Sequence, residues 1–266
     1  MTSSNPSLTI AFFGATGNLL SNVLAPSLAA GHRCIALVRS AEKLHQVLST
    51  LGVSKDALTN LTIIEDSARS PLAVRQVLRH DPDLIISGLT SGPIFHLNPF
   101  RPVTMIDPTL IGDAAEILIT ALRELQAEEA VSKKPLYVQI SSVGLARRRD
   151  IPLLLIPLYH WLLPQPQADT AVMEKLVVRT AQEDNSPLGG YVMIRPPLLT
   201  DGEPRGAKGL RVGWVRHDDD PKPSGDETPG PIIGYTVSRR DLAAWIFDQV
   251  VQGGDKWAGL CVNVAY

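Results

Sequence analysis

The chain has 266 residues, with 25 Lys and Arg against 27 Asp and Glu, which gives a formal net charge of −2. With 44% hydrophobic residues it is too apolar to be disordered, and it is long enough for one large core. It has no basic excess to attract nucleic acid or anionic membranes. The two cysteines, Cys34 and Cys261, are too few for a disulfide scaffold, and we expect both on buried strands.

We expect no targeting or membrane segment. Residues 1–7 are polar and carry no basic residue, unlike a secretory signal peptide. The longest apolar stretch, residues 151–163, is interrupted by Pro152 and Pro157 and is too short to cross a bilayer. The histidines and cysteines show no spacing typical of zinc ligands. We therefore expect a cytoplasmic protein without metal, nucleic-acid or membrane partners; its oligomeric state is left open.

Short apolar runs alternate with amphipathic stretches in the first half of the chain. Continuous apolar strands separated by helices predict an α/β fold with a doubly wound parallel sheet, covered on both faces. The predicted strands are 8–13, 34–38, 61–64, 84–87 and 136–140, and the predicted helices are 19–30, 41–51, 71–78 and 109–129.

The second half of the chain is less regular. It predicts a helix over 168–183, a strand over 191–194, a loop over 200–231, a helix over 239–251 and a last strand over 260–264. No linker marks a boundary. We expect residues 1–266 to form one Rossmann-like domain, with residues 150–238 supplying most of a small, irregular cover over a ligand.

A glycine-rich turn, residues 14–20, follows the first predicted strand and opens a helix, which is the context of a dinucleotide-binding fingerprint. Gly14 suits the tight turn, and Gly17 would let the backbone approach a pyrophosphate at the helix N-terminus. Leu20 stands where the fingerprint has its third glycine, so we expect it to push the helix outward or to alter the loop. A tight turn without a ligand is the alternative. The residues predicted here to contact a cofactor are Gly14, Thr16, Gly17, Asn18 and Leu19.

Arg39 ends the second predicted strand. An acidic residue at this position would bind the ribose 2′-hydroxyl of NAD, whereas an arginine suits the 2′-phosphate of NADP. Ser40 would add a hydroxyl donor; a solvated arginine at a strand end is the alternative. Three further residues near strand ends are predicted to meet the cofactor: Asp66 at the adenine, and Ser87 and Gly88 at the ribose or nicotinamide.

A series of motifs in this order resembles the atypical short-chain dehydrogenases/reductases, which include NmrA-like proteins and biliverdin reductase B-like flavin reductases. The motifs lie at residues 14–17, 37–44, 140–144, 173–177 and 195–202. The segment 150–163 resembles fungal members found in aromatic polyketide pathways. The resemblance covers nearly the whole chain and implies a nicotinamide cofactor, NADP(H), with a small molecule as substrate.

The resemblance implies candidate catalytic residues. Ser141 and Ser142 end the fifth predicted strand, where the family's catalytic or substrate-binding serine lies, and one of them is expected to hydrogen-bond a carbonyl oxygen. Tyr159 is a candidate proton donor and His160 a candidate general acid or base. For each of these residues the alternative is an ordinary packed or strand-capping side chain.

Three further residues complete the candidates: Arg195 and Pro197, which follow the sixth predicted strand, and Glu174 on the predicted helix 168–183. Pro197 is expected to contact the nicotinamide face. Glu174 is expected to be a structural partner of a backbone group or an arginine rather than a base, and Arg195 is also expected to be structural.

The sequence departs from the family pattern in places that bear on the reaction. Residues 167–170 read Gln-Ala-Asp-Thr where members often carry a His-Ala-Asp-Lys type of stretch, and the Tyr-x-x-x-Lys pair of ordinary short-chain dehydrogenases is absent.

Three functional hypotheses follow. The first is an NADP(H)-dependent oxidoreductase acting on an aromatic polyketide-like molecule. The second is a non-redox isomerase, cyclase or dehydratase on the same scaffold, in which the cofactor has been lost; Leu20 and Thr170 motivate it. The third is an NADP-sensing regulator of the NmrA type.

Overall fold

The structure, a computed structural model, describes residues 6–98, 102–162, 164–221 and 229–266. The side chains of residues 159, 160, 162 and 164–166 lie outside this description. The strands are β1 Thr9–Phe13, β2 Arg33–Val38, β3 Leu61–Glu65, β4 Leu84–Ser87, β5 Pro93–Phe95, β6 Val103–Met105, β7 Leu136–Ile140, β8 Gly190–Ile194, β9 Leu198–Thr200, β10 Arg211–Val215, β11 Thr236–Ser238 and β12 Leu260–Ala265.

The helices cover both faces of the main sheet. Within the described ranges, none of them is long and apolar enough to cross a membrane. The α-helices are α1 Asn18–Ala29, α2 Ala41–Thr50, α3 Lys55–Leu58, α4 Pro71–Leu78, α5 Leu110–Ala127, α6 Ile156–Leu162, α7 Pro164–Ala181 and α8 Arg239–Ile246. A π-helical segment, Phe247–Val251, continues α8.

The main sheet has eight strands in the order β10-β12-β8-β7-β4-β1-β2-β3. Neighbouring strands pair in parallel, except that β10 runs antiparallel to β12. This confirms the predicted doubly wound parallel sheet. The chain winds outward from β1 to β3 and then returns to place β4 on the other side of β1. Such a reversal opens a crevice at the carboxyl ends of the two neighbouring strands.

Both faces of β1 are buried, which explains its uninterrupted apolar sequence. Ile10 and Phe12 belong to a core beneath α1, α2 and α8, whereas Ala11 and Phe13 belong to a second core beneath α4, α5 and α7. The alternation of side chains along a strand separates the two cores. The sheet is thereby held rigidly between two apolar layers, and its carboxyl edge is a fixed platform.

The predicted loop over 200–231 contains the edge strand β10, which the sequence analysis missed. The reason is a close backbone approach: a Cβ atom on Gly213 would lie 2.6 Å from the carbonyl oxygen of Gly230. Only a glycine fits there, and a glycine weakens the sequence pattern of a strand. The segment between the predicted strand 84–87 and the predicted helix 109–129, where no element was predicted, contains the antiparallel hairpin β5–β6.

Both cysteines lie on strands and are fully buried, as predicted: Cys34 on β2 and Cys261 on β12. Burial raises the pKa of each thiol to about 12.

Because the thiolate is the reactive form, we expect neither thiol to react with Ellman's reagent in the native protein. Both should react after unfolding in concentrated guanidinium chloride. Rapid labelling of the native protein at mildly alkaline pH would contradict the buried placement.

Candidate functional site

The glycine turn lies between the ends of β1 and β4. Gly14 has a φ of +92°, a left-handed conformation that favours glycine. A Cβ atom there would also lie 3.0 Å from the carbonyl oxygen of Gly88, just after β4. The Gly17 N–H donates to the Gly14 carbonyl at 3.0 Å, which closes the turn. Gly14 therefore meets both the conformational and the packing demand of a dinucleotide-binding turn.

Helix α1 opens directly from this turn with its first N–H groups available. Its N-cap is Gly17, which has no side chain to cap the helix, and its first turn carries no acidic residue. The partial positive charge of a helix N-terminus favours an anion. The Asn18 side chain turns aside and donates to Asp201 Oδ1 at 3.1 Å. The turn and helix together form a backbone cradle that fits a pyrophosphate.

The Leu20 side chain packs directly against Gly88. Its side chain is 2% exposed, and a Cβ atom on Gly88 would lie 2.8 Å from Leu20 Cδ1. The fingerprint normally removes a side chain from the helix at this point. Here the helix keeps the Leu20 side chain, and the residue that faces it after β4, Gly88, has none. The departure at Leu20 is therefore matched by a glycine across the interface, and the cleft stays open beside it.

The cleft consists of two adjoining cavities that share Gly14, Gly17 and Gly88. The outer cavity, of about 520 Å³, extends past the ends of β2 and β3 and is lined by Thr16, Arg39, Lys43, Asp66 and Arg69 among others. The inner cavity, of about 360 Å³, extends past the end of β7 and is lined by Asn18, Leu19, Ser141, Ser142 and Thr170 among others. The structure thus places predicted residues from both halves of the chain along one edge of the sheet.

The outer cavity is cationic. Arg69 is neutralised by Asp107 at 2.7 Å and Asp113 at 2.8 Å. Arg39 is exposed at the end of β2, and neither it nor Lys43 forms a salt bridge to a side chain in the described part of the chain. These two side chains leave positive charge available to an anionic group.

Asp66 lies on the same wall. The backbone N–H of Ser67 donates to its carboxylate at 2.6 Å and lowers its pKa, and the hydroxyl of Ser70 adds to the shift. Asp66 is therefore a fixed acceptor for a ligand that offers a hydroxyl or amino donor.

Two predicted cofactor residues, Ser87 and Pro197, do not line the cleft. Ser87 is 2% exposed and faces the interior, where its hydroxyl bonds that of Tyr137; Gly88, one residue further, lines the cleft instead. Pro197 is buried, and Leu199 takes the wall position. Side-chain alternation at strand ends accounts for both differences.

Ser40 follows Arg39, and its predicted role as a donor to the cofactor stays a prediction. Its hydroxyl caps α2 by accepting the backbone N–H of Lys43 at 3.2 Å. The cap fixes the start of α2, and the Lys43 side chain one turn into the helix reaches the outer cavity. Sequence reasoning missed Lys43, although its place on the first turn after a serine cap was a usable signal.

A buried ion pair lies behind the inner cavity. Glu174 on α7 and Arg195 after β8 are each 1% exposed, and Arg195 Nη2 donates to Glu174 Oε2 at 2.6 Å while its Nε donates to Oε1 at 3.0 Å. The hydroxyl of Ser141 also donates to Oε1, at 2.6 Å. His217 Nε2 lies 3.4 Å from Oε2. The structural roles expected for Glu174 and Arg195 are confirmed.

Glu174 is a carboxylate at any neutral pH. Burial alone would raise its pKa, but the Arg195 guanidinium, His217 and the Ser141 hydroxyl outweigh burial and hold the pKa at about 2. A carboxylate only accepts hydrogen bonds. The proton between Ser141 and Glu174 therefore belongs to the serine.

The remaining residues near the inner cavity have separate roles. Ser142 donates to the carbonyl oxygen of Val143 at 3.1 Å. Asp169 caps the start of α5 by accepting the N–H groups of Ile111 and Gly112, both at 2.9 Å, a role that sequence reasoning missed. Tyr159 and His160 belong to α6, but their side chains lie outside the described residues, so their roles stay predictions. Within the described ranges, no cluster of His, Cys, Asp or Glu side chains is arranged to hold a metal ion.

The sheet, the turn and the cleft define a Rossmann-like fold of the NAD(P)-binding type. Among solved structures, the oxidoreductase ylbE from Lactococcus lactis matches with a TM-score of 0.60 and 17% identity, over 97% of this chain and 90% of that one. ChuY, an anaerobillin reductase from Escherichia coli O157:H7, matches with a TM-score of 0.57 and 17% identity, over 97% and 96%. At this level of identity, both comparisons concern the fold alone.

Sequence relatives give the family. The chain is 38% identical to the reductase pytE of Aspergillus terreus over the whole of both chains. It is 30% identical to the oxidase pynE of Aspergillus niger, over 94% of this chain and 95% of that one. No family model matches. The chain therefore belongs to the family of atypical short-chain dehydrogenases/reductases that contains these fungal proteins, and it is an oxidoreductase.

The packing of Leu20 on Gly88 leads to a double-mutant prediction. We expect Gly88→Ala to destabilise the protein by about 1–3 kcal/mol in urea unfolding, because the added methyl overlaps Leu20. In a Leu20→Ala background the same change should cost much less. The matched control is Gly202→Ala, where an added Cβ would lie 3.9 Å from its nearest neighbour, Thr200 Oγ1, and the change should be nearly neutral. Equal costs in both backgrounds would exclude the contact.

The Glu174–Arg195 pair predicts a pH-dependent stability. We expect Glu174→Gln to lower the unfolding free energy by about 3 kcal/mol at neutral pH, since it leaves a buried guanidinium uncompensated. Folding lowers the pKa of Glu174 from 4.5 to about 2, so its contribution is complete above pH 4.5 and is lost as the pH falls towards 2. The difference between wild type and variant should shrink over that range. Glu183→Gln, in an exposed pair with Arg123, should cost less than about 1 kcal/mol; a similar loss in both variants would refute the buried pair.

Proposed function

We propose that the chain binds NADP(H) in this cleft and catalyses a redox step on an aromatic polyketide-like small molecule of fungal secondary metabolism. The observation that carries the proposal is the cationic end of the cleft. Arg39 and Lys43 face the outer cavity without a carboxylate partner in the described ranges, at the strand end where a cofactor's ribose would lie.

The chain's own groups fit this cofactor. Gly14 and Gly17 leave room for the backbone to approach a pyrophosphate, and the uncapped N-terminus of α1 favours its negative charge. Arg39 and Lys43 would take the 2′-phosphate through charge-assisted hydrogen bonds. When bound, the nicotinamide would give or accept a hydride; the protein's task is to hold the substrate beside it.

The inner cavity suits an apolar substrate. Its walls include Met105, Ile111, Ile140 and Leu199, and their side chains favour a flat hydrocarbon skeleton. The hairpin β5–β6, which contributes Met105, exposes Phe95 to 75%, a surface that a substrate would cover. We include this hairpin with residues 150–238 in the substrate cover. The names of the relatives, a reductase, an oxidase and a ketoreductase of Aspergillus species, support a redox step on a small molecule.

The non-redox hypothesis is less well supported than the redox one. It was motivated by Leu20 and Thr170, but Leu20 packs on Gly88 at the border of the inner cavity and the cleft remains open beside it. Thr170 lines the inner cavity beside the serines, where it leaves room for a substrate.

The test is cofactor preference. We expect Arg39→Ala to weaken NADPH binding by about ten- to a hundredfold, since a charge-assisted contact is lost, and to leave NADH binding within about twofold. Titration calorimetry with each nucleotide measures both. Arg33→Ala is the matched control, because Arg33 begins the same strand at the opposite edge and contacts His80. Failure of the wild type to bind NADPH at millimolar concentration, or equal losses for both nucleotides, would contradict the proposal.

A further inference from the structure

The hydroxyl proton of Ser141 is committed to the protein. Its partner, Glu174 Oε1, lies 2.6 Å away and belongs to a carboxylate that has no proton to offer. A hydrogen bond to a buried carboxylate is charge-assisted and stronger than one to a neutral acceptor. The Arg195 guanidinium anchors Glu174 from the other side, so the acceptor cannot turn away from the serine. Ser141 is therefore held as a donor towards Glu174.

This hydrogen bond determines which hydrogen-bonding groups Ser141 presents to the inner cavity. A hydroxyl has one proton and two lone pairs, and with its proton turned to Glu174 only lone pairs remain for a ligand. Ser142 likewise directs its proton to the Val143 carbonyl. Asp169, in the same wall, is an acceptor with backbone N–H groups on both oxygens. This side of the cavity therefore accepts hydrogen bonds.

Two donor side chains that line the cavity, Asn18 and Arg239, are directed towards Asp201. Asn18 Nδ2 donates to Asp201 Oδ1 at 3.1 Å, and Arg239 Nη1 lies 2.9 Å from the same oxygen. They are thus directed towards Asp201 and not towards the serines. A carbonyl oxygen placed beside Ser141 would meet lone pairs with no proton between them, which is repulsive. This differs from the sequence-based expectation that a serine at this position donates to a carbonyl.

We propose that Ser141 is a specificity-determining acceptor that selects a substrate hydroxyl, phenolic or alcoholic, and that Glu174 is the positioning residue that sets its polarity. The proposal rests on the proposed function in taking the inner cavity as the substrate site. It assigns the substrate class: a hydroxylated aromatic compound whose O–H points to the end of β7. The group that undergoes the redox change lies elsewhere on the molecule, because a carbonyl beside Ser141 would meet only lone pairs.

Matched ligands test the polarity directly. 1-Naphthol donates a hydrogen bond, naphthalene neither donates nor accepts one strongly, and 1-methoxynaphthalene only accepts. In the presence of saturating NADP⁺, measured by ligand-observed NMR, we expect the wild type to bind naphthol about three- to tenfold more tightly than naphthalene, the worth of one hydrogen bond. The methyl ether should bind more weakly than either. A preference for the ether over naphthol, or no binding of any of the three, would overturn the proposal.

Variants then assign the preference to the serine. Ser141→Ala should bring naphthol to within about twofold of naphthalene, while Ser49→Ala, on the exposed face of α2, should keep the wild-type order. In Glu174→Gln the amide can donate to Ser141 and free its proton, so the ether should gain relative to naphthol. If Glu174→Gln does not fold by circular dichroism, Ser141→Ala decides alone. An unchanged naphthol preference in Ser141→Ala would refute the role.

The same samples separate the two proposals. NADPH affinity, measured without naphthol, should be equal in wild type and Ser141→Ala, because the serine lies in the inner cavity, away from Arg39. If NADPH does not bind but the apoprotein keeps the naphthol preference, the proposed cofactor fails and the acceptor role stands. If NADPH binds and Arg39→Ala weakens its binding, but the three ligands bind with equal affinity, only the acceptor role of Ser141 is refuted.

Discussion

The close approach of two glycines at the switch point of the sheet is the constraint on which the cleft depends. Gly14 begins the turn after β1 and lies so close to the backbone of Gly88, after β4, that no room is left for a Cβ atom. Because β1 and β4 are neighbours in the sheet, this contact decides how the chain leaves both strands. It directs the turn into α1 and keeps the crevice between the outer and inner cavities continuous. Leu20 uses the space over the same Gly88, so a leucine on the helix requires a glycine on the strand.

The Glu174–Arg195 pair performs a different task from an ordinary stabilising contact. Taking two charges out of water costs free energy that their attraction does not always recover, and an apolar replacement is often as stable. A hydrophobic pair, however, would leave the Ser141 hydroxyl free to rotate. The buried carboxylate fixes the direction of one proton at the wall of the inner cavity. The pair is thus better understood as setting the polarity of a binding surface than as a source of stability.

The sequence predicts the parts of the molecule that depend on local rules. The glycine turn and the cationic end of β2 follow from short-range spacing, and so do most elements of the first half. The features that the sequence did not predict depend on contacts between residues that are distant along the chain. Whether Ser87 or Gly88 faces the cleft depends on how β4 is registered against its neighbours, and the place of Leu20 depends on a residue distant along the chain. Likewise Asp169 caps a helix that begins far before it, and β10 pairs with a strand close to the end of the sequence.

Along the cleft, charge and hydrogen-bonding character change in one direction. The near-neutral composition of the whole chain conceals this, because the free cations at the outer cavity are balanced by carboxylates elsewhere. At the outer end, Arg39 and Lys43 attract an anion, and the uncapped α1 does the same in the middle. At the inner end, Ser141 and Asp169 only accept hydrogen bonds, so an anion or a bare carbonyl is disfavoured there. A dinucleotide phosphate and a hydroxylated aromatic compound therefore have opposite preferences for the two ends. That opposition orients both ligands before any reaction begins, since neither gains by exchanging places with the other.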